Sequence, residues 1–92
     1  MSTNRTADLA KIVGPNWLVD GCAMSTDYVH GGPIYLATIR RDLGTSISFA
    51  RVVRSNRNRP AGAAPMTEAA AWKTLVADAR QVMAQEAAGR KI

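Results

Sequence analysis

The stretch IYLATIRRDLGTSISFARVVRS, residues 34–55, decides the fold because it is the clearest β-hairpin pattern in the chain. Two runs rich in β-branched and aromatic residues flank a short turn that contains glycine. A three-residue turn predicts that Ile39 lies opposite Ile47 and that Ala37 lies opposite Phe49. This register gathers apolar side chains on one face of the hairpin, which predicts that this face is buried.

The other face of the predicted hairpin is polar. With a turn at residues 42–44, Thr38 lies opposite Ser48 and Arg40 lies opposite Ser46. We therefore expect a two-sided hairpin with one face against the core and the other in water.

Three further elements are predicted around the hairpin. They are a short N-terminal helix that begins at Thr3 or Thr6 and ends before Gly14, a strand over residues 17–24, and a long helix that begins after Thr67 and ends near Gly89. The strand contains Asp20-Gly21, which indicates a bulge or, alternatively, a tight two-residue hairpin.

The long helix has an apolar stripe at helical spacing, formed by Trp72, Leu75, Val76, Ala79, Val82 and Met83. Such a stripe needs an apolar surface to cover it, and the hairpin offers one. The sequence therefore predicts an α+β fold: a three-stranded antiparallel sheet, one long C-terminal helix packed on one face, and a short N-terminal helix.

Length and composition favour one small intracellular domain. A chain of 92 residues can bury one modest core, so we expect a single domain over residues 1–92, with an exposed basic loop at residues 55–66. Cys22 is the only cysteine, which favours a reducing compartment. No secretory signal or membrane-spanning run is evident, so we expect a soluble protein in the cytoplasm.

The positive charge is concentrated in one segment. Six of the twelve Lys and Arg residues fall within residues 34–60, all of them arginine, and Asp42 is the only acid there. This segment therefore carries +5, which equals the formal net charge of the whole chain. A localised field of this kind attracts a phosphate backbone or an acidic protein surface.

The predicted partner- or RNA-binding residues come from this segment: Arg40, Arg41, Arg54, Arg57 and Arg59. Guanidinium groups bind carboxylates and phosphates through planar, bidentate contacts. The structural alternative is that these arginines are solvated or protect the edge of the sheet against aggregation.

Catalytic and metal-binding patterns are weak. His30 is the only histidine, and with Asp27 and Cys22 it lacks the paired ligand spacing of a zinc site. The acids form no general acid/base pair, and no phosphate-binding glycine loop is present. We therefore expect no enzymatic activity, no metal and no cofactor. A small enzyme with Cys22 as nucleophile and His30 as base is kept as a third hypothesis, after the two binding functions described below.

The segments GPNWLVDG (residues 14–21), IYLATIRRDLGTSISFARVVRS and APMTEAAAWKTLVADARQVM (residues 64–83) resemble, in their order, small phage-encoded anti-CRISPR proteins, particularly inhibitors of the type I-F surveillance complex. The resemblance implies a non-enzymatic protein in the cytoplasm of an infected bacterium that binds Cas subunits and guide RNA and blocks target DNA binding. Many such inhibitors are acidic and imitate DNA. At +5 this chain departs from them, which favours contact with guide-RNA phosphates or acidic Cas residues.

A second hypothesis is a small nucleic-acid-binding module, such as the arm-binding domain of a phage recombinase. In such a module a three-stranded sheet enters the DNA and a helix supports it from behind. This hypothesis predicts direct duplex binding that weakens steeply with salt, whereas the inhibitor should bind free DNA weakly.

Overall fold

The computed structural model describes residues 4–42, 48–57 and 59–89, and these residues form two helices and three strands. In chain order the elements are α1 (Thr6–Val13), β1 (Leu18–Thr26), β2 (Pro33–Asp42), β3 (Ser48–Arg54) and α2 (Glu68–Gly89). The strands form one antiparallel sheet in the order β1-β2-β3. α1 packs on β1, and α2 packs on β2 and β3. The predicted α+β fold is confirmed.

Strand β1 contains a bulge at Asp20. Val19 pairs with Ile39 and Gly21 pairs with Thr38, so Asp20 is the extra residue between two successive pairs. Because β1 continues as one strand on both sides of this point, the bulge prediction is confirmed and the alternative hairpin is wrong.

The register of the β2–β3 hairpin differs from the prediction by four residues. Ile39 lies opposite Arg51 instead of the predicted Ile47. Asp42 pairs with Ser48, so the predicted three-residue turn is also wrong, and the residues between these two lie outside the described part of the chain. A slip by an even number of residues keeps each side chain on its predicted face but changes its neighbours across the strands.

Contacts at the other end of the hairpin fix the observed register. Ser55 is fully buried; its hydroxyl accepts the backbone N–H of Tyr35 at 2.9 Å and donates to the carbonyl of Ala71 in α2 at 2.7 Å. Val53 lies opposite Ala37 and takes the place in the core that the prediction gave to Phe49. Buried groups that lose such partners are costly, so these contacts outweigh the local preference of a turn.

The core joins both helices to one face of the sheet. Its buried side chains are Leu9, Val13, Trp17, Cys22, Tyr35, Ala37, Ile39, Val53, Ala71, Leu75 and Ala79. Within α2, Leu75 and Ala79 confirm the predicted stripe, whereas Trp72 packs at its margin. The helix begins as predicted, because the Thr67 hydroxyl accepts the N–H of Ala70 at 3.2 Å.

Candidate functional site

The free edge of β3 is closed by a group of contacts that we call the edge clasp: Arg57, Asp78, and the backbone of Val52 and Arg54. Asp78 reaches from α2 and is only 7% exposed. Its carboxylate accepts Arg57 Nε at 2.8 and 2.9 Å and the backbone N–H of Arg54 at 3.0 Å. Arg57 Nη2 also donates to the carbonyl of Val52. The clasp therefore occupies backbone groups that an edge strand would otherwise offer to another chain.

An open groove of about 630 Å³ lies between the clasp and α2. It is lined by Arg51, Val52, Arg54, Arg57, Asp78, Gln81, Val82, Gln85 and Glu86. Three guanidinium groups face two carboxylates here, so most of the groove's positive charge is balanced within the protein. The groove is thus a weaker attractor of anions than its arginines alone suggest.

The five predicted contact arginines do not lie on one edge. Arg54 and Arg57 both line the groove, but Arg57 belongs to the edge clasp. Arg59 is half-buried in the loop before α2 and donates through Nη2 to the carbonyl of Ala64. Their contacts give Arg57 and Arg59 a structural role, and their contact with a partner stays a prediction.

The remaining two predicted residues lie on opposite faces of β2. Arg40 faces away from the helices and its Nε donates to Asp20 Oδ1 at 3.2 Å. Arg41 lies on the helix-covered face, opposite Phe49, and is half-buried. Of the predicted set, Arg54 and Arg40 therefore share the sheet face that the helices leave uncovered.

This uncovered face, which we call the open face, has three rows that cross all three strands. They are Leu18–Arg40–Ala50, Gly21–Thr38–Val52 and Ala23–Leu36–Arg54. Three large apolar side chains stand in it: Leu18 is 45% exposed, Leu36 38% and Val52 55%. The prediction that this face is polar is wrong, because Leu18, Leu36 and Val52 stand on it. The predicted pair Thr38–Ser48 is also wrong, since Thr38 lies opposite Val52.

The centre of the open face is a shallow depression of about 320 Å³. Gly21, Ala23, Leu36, Thr38 and Val52 contribute to its lining. A Cβ atom built on Gly21 would meet no atom within 4 Å, so the missing side chain contributes to the depression.

Sequence reasoning missed the apolar residues of the open face. A signal for them was present: two large apolar residues are adjacent at Tyr35-Leu36 and again at Val52-Val53. Since successive side chains of a strand point to opposite faces, one member of each pair must face away from the core. Leu36 and Val52 are those members.

The loop between β1 and β2 presents a second exposed feature. The Asp27 carboxylate accepts the N–H groups of Val29 at 2.9 Å and His30 at 3.0 Å, and it contacts His30 Nδ1 at 2.8 Å. These hydrogen bonds lower the pKa of Asp27 below its usual value, with the His30 N–H as the main cause. The loop leaves Tyr28 93% exposed.

The third hypothesis, Cys22 with His30, finds no matching geometry. Both ring nitrogens of His30 face other partners, Nδ1 the carboxylate of Asp27 and Nε2 the carbonyl of Pro60 at 2.9 Å. Burial raises the pKa of the Cys22 thiol, which disfavours the nucleophilic thiolate. Within residues 4–42, 48–57 and 59–89, no group of three or more His, Cys, Asp or Glu is placed to hold a metal ion.

Within the same described ranges, no helix has the length and apolar character that crossing a membrane requires. No protein-family model, no characterised protein and no solved structure matches this chain.

Proposed function

We propose that this chain is a non-catalytic inhibitor that binds a type I-F CRISPR-Cas surveillance complex and blocks its access to target DNA. One observation carries the proposal: the open face combines an apolar centre with arginines at two of its rows. The resemblance of the sequence to type I-F inhibitors supplies the identity of the complex.

The apolar centre favours a protein partner. Leu36 and Val52 expose large apolar side chains in neighbouring rows of the adjacent strands β2 and β3, and Leu18 exposes a third in the outer row of β1. Exposed apolar patches with polar rims mark surfaces that other proteins cover. A surface that reads DNA bases needs many hydrogen-bonding side chains instead, and the open face has few.

The arginines favour an acidic partner surface. Arg54 is exposed at one end of the open face, and Arg40 is half-exposed toward the other end. With a net charge of +5, association with a second copy of this chain is opposed by repulsion. Acidic Cas residues, and guide-RNA phosphates beside them, fit this charge.

The test uses purified type I-F surveillance complex and a labelled target duplex. Saturating protein should abolish duplex binding by the complex, while the protein alone should bind the duplex weakly. Val52→Asp, which places a charge in the open face, should weaken inhibition at least tenfold. Ala61→Asp, which adds the same charge in an exposed loop, should leave inhibition unchanged. Undiminished duplex binding at saturating wild-type protein would overturn the proposal.

A second candidate is the nucleic-acid-binding module. The observation in its favour is that the sheet is backed by helices on one face only, so the open face could enter a groove of DNA with Arg40, Arg54 and Thr38 forward. A gel-shift titration at two salt concentrations separates the candidates. Tight, sequence-specific duplex binding that falls steeply with salt supports the module, and weak binding supports the inhibitor.

A further inference from the structure

Gly21 lies in strand β1, and the backbone conformation at this position does not require glycine. Among the described glycines only Gly31 and Gly32 have positive φ. A Cβ on Gly21 would also meet nothing within 4 Å, so no close approach of another chain segment requires glycine there. Glycine inside a strand loses more conformational entropy on folding than a residue with a side chain, and it packs nothing. What glycine provides at this position is empty space on the open face.

The space over Gly21 has apolar walls. It lies in the middle row of the open face, with Thr38 beside it and Val52 beyond Thr38, and with Ala23 and Leu36 in the next row. Leu36 and Val52, both partly exposed, contribute apolar side chains to the lining of the depression. Shape and chemistry therefore suit one apolar side chain of moderate size.

One arginine stands on each side of this depression. Arg54 is in the row of Ala23 and Leu36, and Arg40 is in the row on the other side. Asp20, the acid next to Gly21 in sequence, is already paired with Arg40. Carboxylates around the inserted side chain would thus meet Arg54 directly and could replace Asp20 at Arg40.

We propose that the depression over Gly21 is the socket for one apolar side chain of an acidic protein partner, with carboxylates beside that side chain bound by Arg54 and Arg40. The proposal rests on the open face that carries the proposed function and names its anchor point. A buried anchor surrounded by a polar rim is the usual arrangement of the strongest contacts in protein interfaces. The partner is a protein segment rather than RNA, because the socket itself offers apolar walls and no aromatic stacking surface.

The test compares two glycine variants. Gly21→Val fills the socket, and Gly62→Val adds the same atoms at a loop glycine whose Cβ would likewise meet nothing within 4 Å. Neither position has positive φ, so both variants should fold, with thermal midpoints no lower than that of the wild type. Gly21→Ala fills less of the space and should give an intermediate result.

The ligand probe is a capped pentapeptide, Asp-Glu-Leu-Glu-Asp, added to ¹⁵N-labelled protein while amide chemical shifts are followed. We expect shifts centred on Gly21, Ala23, Leu36, Thr38 and Val52, with affinity at least fivefold weaker for Gly21→Val and unchanged for Gly62→Val. The same peptide with glycine in place of leucine should bind at least fivefold more weakly. The socket proposal would be overturned if the peptide caused no shifts, or shifts only at other amides. It would also be overturned if Gly21→Val bound the peptide as tightly as the wild type does, or if polyuridylate shifted these amides more strongly than the peptide.

The same variants are then assayed with the surveillance complex, which separates the two proposals. If the peptide maps to the socket but the wild type does not inhibit the complex, the socket stands and the proposed function fails. If the wild type inhibits the complex and Gly21→Val inhibits it equally, the proposed function stands and the socket fails.

Discussion

The two free sides of strand β3 are treated in opposite ways. Its edge is closed by the edge clasp, in which Asp78 holds Arg57 and the backbone of Arg54. Its open face leaves Val52 and the Arg54 side chain exposed. Arginines that are three residues apart in sequence therefore have different roles, one holding the fold together and the other available to a partner.

The difference shows that local charge density does not identify a binding site by itself. Arg57 and Arg59 contribute to the basic character of the segment but already have intramolecular partners. Arg54 contributes the same charge, and its side chain stands beside exposed apolar groups. A surface that binds a partner needs accessible charge together with area to bury, and the open face has both.

Removal of Asp78 tests the structural side of this comparison and should have the largest effect. Asp78→Ala leaves the half-buried Arg57 and the N–H of Arg54 without their partner, which should lower the free energy of unfolding by about 2–4 kcal/mol. Asp20→Ala removes an exposed ion pair to Arg40 and should cost less than about 1 kcal/mol. Urea unfolding of both variants gives the two values. Equal losses would contradict the distinction between edge clasp and open face.

Val52 and Val53 provide a matched pair on the two faces of β3. Val53 is fully buried, so Val53→Thr places a hydroxyl in the core and should cost about 1–3 kcal/mol. Val52 is 55% exposed, and Val52→Thr should change stability by less than about 0.5 kcal/mol. Thermal or urea unfolding measures both. A large loss for Val52→Thr would mean that the open face is covered in the folded protein.

The sequence predicted the elements well and their exact pairing poorly. The bulge at Asp20 and the start of α2 after Thr67 depend on local signals that are visible in a short window. The hairpin register does not depend on local signals of this kind. It depends on Ser55 and Asp78, whose partners are up to 24 residues away in sequence. A turn signal cannot contain that information.

In the candidate site, too, the features that depend on local sequence were predictable, and those that depend on contacts between distant residues were not. The positive charge of residues 34–60 was predictable, because it follows from a count of charged residues. The separation of Arg54 from Arg57 depends on the contact of Arg57 with Asp78 across the sheet–helix boundary, and no spacing rule indicates it. Leu36 and Val52 were predictable from the alternation of side chains along a strand, since they lie on the open face in either register. Their neighbours across the strands were not, because the register error placed serines where Ala50 and Val52 lie.

The acid dependence of stability should come partly from Asp27, which supports the β1–β2 loop through hydrogen bonds with Val29 and His30. Its pKa is lowered in the folded protein, so its contribution is fully present above the usual value near 3.8 and is lost as the pH falls through the lowered folded value. Urea unfolding from about pH 6 down to about pH 2.5 should show this loss. Asp27→Asn should show a smaller dependence. If the wild type and Asp27→Asn lost the same stability over this pH range, Asp27 would not be a source of the acid dependence.

We expect partner binding to depend on the open face and not on the net charge of the chain. The most direct measurement is the affinity for the type I-F surveillance complex of Arg54→Ala and of Lys73→Ala, a matched charge loss at an exposed position of α2. Arg54→Ala should weaken binding about tenfold or more, as expected for an interface arginine, while Lys73→Ala should change it less than about twofold. Equal losses in the two variants, or no loss with Arg54→Ala, would contradict the account.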